Sequence, residues 1–199
     1  VRNEPRHHNV FENEYVRLLD VWLAPGDTTQ FHIHATPSVF NMFTQTTTVS
    51  QLIDEQPSKS STSVAGSTFY DSLVTPRIHR VWNKDTSWYH VMDIELVAGK
   101  PHIAEPVLQI AHLQILFDKP LVRGYHLQLP ANGNLQLPAS KNGYLLLSLG
   151  EASVNYKSLG AIENYNLEAG HYHWVSAGQE FSITLSNSTP AAFTLFQLK

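Results

Sequence analysis

Polar and apolar residues alternate along most of this 199-residue chain. Residues 15–23 and 88–96 show the alternation most clearly, with the two-residue period of a strand that turns one face toward a core. The same period predicts further strands at residues 28–34, 38–46, 48–54, 121–129, 144–149, 152–157, 181–185 and 192–198. No long segment keeps a helical period, and the Ser- and Thr-rich residues 56–67 predict a loop. The pattern therefore predicts an all-β fold, either a sandwich or a barrel.

The two halves of the chain share a short repeat. Residues 15–26 align with residues 121–133, and residues 83–96 align with residues 187–198. The two alignments have nearly equal offsets, which is typical of an internal duplication. Residues 97–102 interrupt the strand pattern between the halves. We therefore predict two domains of similar size, at residues 1–103 and 104–199.

Composition and charge narrow the range of functions. The formal net charge is −4, with 13 Lys and Arg against 17 Asp and Glu and no basic run, so we expect neither nucleic acid nor a membrane surface as a partner. The absence of cysteine excludes disulfides, thiolate metal sites and cysteine nucleophiles. The apolar runs are too short to cross a bilayer. The compartment stays open, because a chain that begins with Val1 fits both the cytoplasm and export after removal of a signal.

Three of the eleven histidines form a pattern that is typical of a metal site. His32 and His34 are two residues apart on a predicted strand, so their side chains point to the same face. His79 can add a third imidazole from another strand. Neutral imidazole suits a divalent Fe, Mn, Ni, Cu or Zn ion, and three protein ligands leave coordination positions open for substrate or oxygen. We predict that these three histidines bind one divalent metal ion.

At these residues the chain resembles the cupin superfamily. In the first cupin motif five residues separate a glycine from His-x-His, as residues 27–31 separate Gly26 from His32 and His34. The second motif ends in a histidine and, four positions later, an asparagine, as in His79 and Asn83. Together with the repeat, the resemblance implies a bicupin, which is two double-stranded β-helix (jelly-roll) barrels in tandem. It also implies a homodimer, since bicupins commonly dimerise.

The chain departs from the cupin pattern at one ligand. Cupins usually place a glutamate where this chain has Ser38, and residues 33–53 contain no Asp or Glu. The resemblance then implies either a neutral three-histidine site, as in thiol dioxygenases and some diketone-cleaving members, or a site that has lost its metal. In the second half, the positions aligned with the three histidines are Leu135, Leu137 and Ile183. We therefore expect the second barrel to be filled with hydrocarbon and to hold no metal.

Side chains that share a face with the histidines would line the site and contact a small-molecule substrate. On the predicted strands these residues are Gln30, Ser38, Phe40, Met42 and His90. The opposite face of the His-x-His strand carries Phe31 and Ile33. A sheet that is apolar on both faces needs cover on both, so we expect the second half or a second subunit to pack there.

The sequence also predicts where four other histidines and one aspartate lie. His7 and His8 belong to a polar N-terminal segment, and we expect both to face solvent. A second His-x-His, at His171 and His173, comes too late in the repeat to match the cupin motif, and an exposed strand or turn is expected there. Asp20 is the one acid that we predict to face inward.

Three functions remain open from the sequence. The first is a metal-dependent oxygenase that acts on a small organic molecule through His32, His34 and His79. The second is a non-catalytic module that binds a small molecule or a metal, which the lack of an obvious general base near the histidines favours modestly. The third is a metal-free isomerase or epimerase, with His32 or His79 as the base and Asp20 as its acidic partner. The sequence identifies neither the substrate nor the metal, because fold does not determine chemistry.

Overall fold

A computed structural model describes residues 1–98 and 103–199, and within these ranges it contains strands and no helix. The strands are β1 (His7–Glu12), β2 (Val16–Leu23), β3 (His32–His34), β4 (Ser38–Met42), β5 (Thr47–Leu52), β6 (Ser61–Thr62), β7 (Thr68–Asp71), β8 (Arg77–Asn83), β9 (Tyr89–Leu96), β10 (Leu113–Asp118), β11 (Val122–Leu129), β12 (Asn134–Leu137), β13 (Tyr144–Ser148), β14 (Ala152–Ser158), β15 (Ala161–Leu167), β16 (Tyr172–Val175), β17 (Phe181–Leu185) and β18 (Ala191–Leu198). The all-β prediction is confirmed. The described ranges accordingly offer no helix of the length and hydropathy that crossing a membrane requires.

The chain divides into two compact units, Val1–Gly99 and Lys100–Lys199. Each unit has a five-stranded and a four-stranded antiparallel sheet. In the first unit the strand orders are β1-β2-β9-β4-β7 and β3-β8-β5-β6. In the second unit they are β10-β11-β18-β13-β16 and β12-β17-β14-β15, which is the same order with every strand number raised by nine. The sequence repeat therefore has a topological counterpart. The predicted interruption at residues 97–102 lies mostly outside the described residues.

The repeat extends to a strand that the sequence pattern did not reveal. β1 pairs with β2, and a bulge shifts its register between Asn9 and Phe11. β10 pairs with β11 in the same way, with a bulge between Ile115 and Phe117. A bulge adds one residue to one strand and breaks the two-residue period. For that reason neither strand shows a clean alternation of polar and apolar residues.

The first unit has an apolar cluster on one face of its five-stranded sheet. On β2 the buried residues Leu19, Val21 and Leu23 alternate with more exposed ones. Val21 packs in a cluster with Met42 from β4 and Val91 from β9. In this unit two strands are shorter than predicted: the segment 28–34 forms a strand only at β3, and the segment 38–46 only at β4.

Gly26 and Asn83, the outer residues of the two cupin-like motifs, hold the connection between β2 and β3. Gly26 has φ of 74°, a left-handed conformation that side chains disfavour, and its N–H donates to the carbonyl of Asn83. The Asn83 amide is buried and donates to the carbonyls of Leu23, Ala24 and Ser87. These hydrogen bonds join the connection between β2 and β3 to the end of β8. Gly26 and Asn83 therefore have a structural role, and the candidate chemistry belongs to the histidines.

In the second unit the corresponding barrel is filled with hydrocarbon. Leu135, Leu137 and Ile183 are each at most 2% exposed and belong to one core cluster. Leu135 lies opposite Ile183 in the ladder between β12 and β17. This pair occupies the register that His32 and His79 occupy between β3 and β8.

Candidate metal centre

Three histidines meet inside the first unit because of strand geometry. On β3, His32 and His34 are 7% and 2% exposed, whereas Ile33 between them is 46% exposed. β8 pairs antiparallel with β3 and places His79 directly opposite His32. The ring centroids are 4.7 Å apart for His32 and His79, 4.9 Å for His34 and His79, and 5.0 Å for His32 and His34. The rings of the three residues predicted from the sequence therefore lie together.

The hydrogen bonds of these rings leave nitrogen lone pairs facing the interior. His32 Nδ1 donates to the backbone carbonyl of Gln30 at 2.9 Å, so its Nε2 carries the lone pair when the ring is neutral. That Nε2 lies 3.1 Å from His34 Nε2. His79 Nδ1 bonds to Ser50 Oγ at 3.1 Å, and its buried Nε2 has no hydrogen-bond partner among the described residues.

This arrangement fits a divalent metal ion. Two imidazole nitrogens that bind one ion at about 2.1 Å lie roughly 3.0–3.4 Å apart, which brackets the distance between the Nε2 atoms of His32 and His34. Metal-ligating histidines usually bond through their other ring nitrogen to a carbonyl, a carboxylate or a similar group, as His32 and His79 do. Buried polar atoms without partners are costly, and an ion would satisfy them.

A fourth histidine lies in the same cluster. The ring of His7, on β1, is 4.6 Å from that of His32 and 6.2 Å from that of His34. Candidate ligand atoms of His7, His32 and His34 all lie within 4.8 Å of one another. The prediction that His7 faces solvent is wrong, although His8 beside it is exposed. The signal was missed because β1, with its bulge, was not recognised as a strand.

Burial keeps the cluster neutral at ordinary pH. It lowers the pKa of His7 to about 3, of His34 to about 2 and of His79 to about 3, and it also lowers the pKa of His32. The neighbouring rings lower the pKa of His7, His34 and His79 further, because two adjacent imidazolium ions would repel each other. Neutral imidazole is the form that binds a metal ion.

One carboxyl group, that of Asp93 on β9, also faces the histidines. Its Oδ2 lies 3.5 Å from His34 Nδ1, beyond normal hydrogen-bond distance, and neither oxygen has a hydrogen-bond partner in the described part of the chain. Complete burial, and secondarily the charge of Glu95, raise the pKa of Asp93 to about 8. The acid that the sequence analysis expected here, Asp20, lies elsewhere, and that prediction is wrong.

Asp20 and His90 lie on the other face of the five-stranded sheet. His90 Nε2 donates to Asp20 Oδ1 at 2.8 Å, and the His90 ring stacks on Trp22 with centroids 3.5 Å apart. Trp22 pairs with His90 in the register between β2 and β9, so both side chains point away from the histidine cluster. The prediction that His90 lines the site is therefore wrong. Tyr89, Val91 and Asp93 line it instead.

Gln30 does not share the inner face with the histidines. Thr29 is buried, and its backbone and hydroxyl bond to Val81 on β8. The regular alternation therefore stops between Thr29 and His32, and Gln30 is left exposed on the surface. The prediction that Gln30 shares the inner face with the histidines is wrong, because Thr29 lines the small cavity there. Gln30 instead lines a larger groove that His32 also lines, so its contact with a substrate stays a prediction.

The remaining predicted contact residues lie close to the cluster. Phe40 lines the cavity, with its ring 6.1 Å from that of His34. Met42 is buried, and its sulfur accepts a hydrogen bond from the Tyr89 hydroxyl. Ser38 is 2% exposed, and its hydroxyl has no hydrogen-bond partner within the described ranges. Substrate contact by these three residues stays a prediction.

The cluster faces a small cavity beside a larger groove. The four histidines, Asp93 and Phe40 help to line a cavity of about 70 Å³. That space holds about two water molecules, since each occupies about 30 Å³ in the liquid. A groove of about 530 Å³ lies outside it and is lined by Phe31, Ile33 and Ile78, among others. His32 lines both spaces.

The second His-x-His lies in the other unit. His171 is exposed, and its Nδ1 accepts a hydrogen bond from the backbone N–H of Glu168. His173, on β16, is half-buried and packs against Tyr156 and Phe181. Neither belongs to the histidine cluster of the first unit.

The chain matches no protein-family model and no curated protein. Among solved structures, it is similar to salicylate 1,2-dioxygenase from Pseudoaminobacter salicylatoxidans, solved as adducts with gentisate, with a TM-score of 0.65, 9% identity, and coverage of 94% of this chain and 70% of that one. It is also similar to a cupin 2 conserved barrel domain protein from Leptotrichia buccalis, with a TM-score of 0.61, 10% identity and coverage of 96% and 88%. YhaK from Escherichia coli matches with a TM-score of 0.62, 14% identity and coverage of 98% and 92%. These similarities establish the fold, so the predicted cupin-type jelly roll is confirmed.

Proposed function

We propose that the first unit binds one divalent transition-metal ion through His32, His34 and His79. The observation that carries the proposal is the convergence of three neutral rings whose Nδ1 atoms face the Gln30 carbonyl, Ser50 Oγ or Asp93, while lone pairs remain on the inner side. If only apolar groups surrounded these nitrogens, they would be buried without a hydrogen-bond partner, which is costly. A metal ion satisfies them and accounts for histidines where the second unit has aliphatic residues.

The donor set indicates a class of metal. Imidazole nitrogens suit Fe, Mn, Ni, Cu and Zn, whereas Mg²⁺ and Ca²⁺ prefer oxygen ligands. The set lacks the usual cupin glutamate, because Ser38 offers only a hydroxyl. The site therefore keeps one more positive charge than a three-histidine, one-glutamate site, which weakens its attraction for hard cations.

For activity, we propose an oxygenase that acts on a small organic molecule. A bound ion of this class supplies Lewis-acid or one-electron chemistry. The chain itself holds the imidazoles in their neutral form and excludes bulk water with Phe40, Val91 and Tyr89. Asp93 retains a proton at neutral pH in the unloaded protein. The groove beside His32 has room for a molecule that the inner cavity does not admit. The fold shared with a salicylate 1,2-dioxygenase makes small aromatic acids reasonable first substrates to test.

A non-catalytic role is the second candidate, and the volume of the cavity favours it. Ligand sites usually occupy about 300–1,000 Å³, far more than the inner cavity of about 70 Å³ that the four histidines line. Only His32 of the four also lines the groove of about 530 Å³. A metal-binding module needs no additional room. The isomerase alternative loses its proposed acid, because Asp20 bonds to His90 on the far face of the sheet. Homodimerisation and the lack of nucleic-acid and membrane partners remain predictions.

Metal analysis of the untagged full chain tests metal binding. After loading with Fe(II), Ni(II) or Zn(II) and dialysis, we expect about one ion per chain in the wild type, a large loss in His32→Ala, and no change in His171→Ala, the control from the second unit. Absence of metal from the wild type, or full occupancy in His32→Ala, would contradict the proposal.

Oxygen uptake separates the two candidate functions. The Fe(II)-loaded chain is mixed with gentisate or salicylate in an oxygen electrode, and oxygen uptake that is lost in His34→Ala supports the oxygenase. If the chain binds metal but consumes no oxygen with a panel of small aromatic and aliphatic acids, the non-catalytic module is the better description. A thermal-shift assay with the same panel then tests ligand binding.

A further inference from the structure

We propose that His7 is a fourth ligand of this metal ion and takes the place of the missing carboxylate. The inference rests on the proposed function, because it assigns another residue to the same site. The cupin motifs do not contain His7, and the sequence analysis placed it in solvent. Its assignment comes from the position of its ring in the folded barrel.

The first argument is proximity. A ligand nitrogen of His7 lies within 4.8 Å of those of both His32 and His34. The rings of His7 and His32 are 4.6 Å apart, about as close as the rings of His32 and His79 at 4.7 Å. By distance from His32, His7 is therefore as good a candidate ligand as His79.

The second argument is the state of the His7 ring. Its Nδ1 is buried, and the described residues offer it no hydrogen-bond partner. The next residue on β1, His8, is exposed to solvent, so the strand has polar positions that remain hydrated. A buried imidazole nitrogen without a partner is a site where a cation compensates the lost hydration.

The third argument is that neither Ser38 nor Asp93 replaces the glutamate that cupins usually have as a ligand. Ser38 is buried and neutral, and Asp93 faces His34 on the Nδ1 side, where it can support the ring rather than replace a ligand. His7 adds a nitrogen donor without adding charge. Four neutral imidazoles then favour Cu(II), Ni(II) or Zn(II) over Mn(II), Mg²⁺ and Ca²⁺.

Copper binding to the untagged full chain tests the assignment. Cu(II) affinity is measured by competition with a chelator, and the number of bound nitrogens is measured from the hyperfine pattern in electron paramagnetic resonance. Losing a group that only supports a ligand costs 10- to 100-fold in affinity, so we expect His7→Ala to lose at least about tenfold and one nitrogen from the spectrum. The matched control is His8→Ala, which we expect to bind like the wild type.

The outcomes separate this inference from the proposed function. If His7→Ala binds Cu(II) like the wild type while His32→Ala does not, His7 is not a ligand and the three-histidine site stands. If the wild type binds no metal, both proposals are overturned. His7→Phe fills the space of the ring without a nitrogen, and equal losses in His7→Phe and His7→Ala exclude a packing defect as the cause. Wild-type affinity in a folded His7→Phe would overturn the assignment even if His7→Ala fails to fold.

Discussion

His32 lies directly opposite His79 in the ladder between β3 and β8, at the register where Leu135 faces Ile183 in the second unit. The two units therefore have different side chains at the same pair of inward-facing positions. In the second unit the pair is hydrocarbon and completely buried. In the first unit the pair is polar, and its inner nitrogens lack protein partners except for the contact between His32 and His34.

The contrast between the two pairs predicts a stability change. Replacing the polar pair with the hydrocarbon pair, in His32→Leu/His79→Ile, removes the buried His79 Nε2, which has no hydrogen-bond partner among the described residues. It also removes the bonds to the Gln30 carbonyl and Ser50, which offsets part of the gain. We expect a net gain of about 1 kcal/mol in the free energy of unfolding of the apoprotein and the loss of metal binding. Urea denaturation of metal-free protein measures the change. The exposed control His8→Leu should change it by less than about 0.5 kcal/mol. A destabilised double variant would show that the two rings already contribute favourable contacts in the apoprotein.

Ser50 is predicted to orient a ligand without touching the metal. Its hydroxyl bonds to His79 Nδ1 at 3.1 Å and restrains the ring. We expect Ser50→Ala to weaken metal affinity by about 10- to 100-fold with little change in the fold. Isothermal titration with Zn(II) measures the affinity, and Ser61→Ala, at an exposed position on neighbouring β6, is the control. Equal affinities for Ser50→Ala and the wild type would remove Ser50 from the site.

Acid is predicted to destabilise the apoprotein through the buried histidines. In the folded chain the pKa values of His7, His34 and His79 lie well below the ordinary value of 6.5. The unfolded chain therefore binds more protons below pH 6.5, and stability falls as the pH drops from about 6.5 toward 3. Urea unfolding at pH 4.5, 5.5 and 6.5 measures the slope, and His34→Leu should make it shallower. A slope that is unchanged in His34→Leu would show that this ring is not the cause.

Alkali is predicted to destabilise the apoprotein through Asp93. Its folded pKa is raised to about 8 from an ordinary value of 3.8. The folded chain holds a proton that the unfolded chain has released, so stability falls as the pH rises through this window. Between pH 7.5 and 9, where unfolded histidines are already largely neutral, the loss should be about 0.8 kcal/mol. Urea unfolding at pH 7.5, 8.25 and 9 measures it, and the loss should disappear in Asp93→Asn. If that variant keeps the wild-type slope, Asp93 is ionised in the fold.

The inner face of β3 was predictable because the period of a strand is two. Residues two apart must share a face, so His32 and His34 point together whatever the rest of the fold does. The sequence does not determine which strand pairs with β3, and the pairing with β8 is seen only in the structure. The hydrocarbon positions of the second unit also followed from alignment, because a duplicated chain repeats its register as well as its strands.

Alternation along the sequence determined that this chain forms strands, that two histidines share one face and that the two halves are related. Only the tertiary structure determined which face of β9 points inward. It also determined that Gln30 lies outside the histidine face and that His7 points toward the histidines. The physical reason is that a period of two leaves two equivalent faces, and a shift of one residue exchanges them. The bulge in β1 and the interruption after Thr29 are such shifts. Cross-strand register and bulges therefore selected the side chains that surround the candidate metal centre.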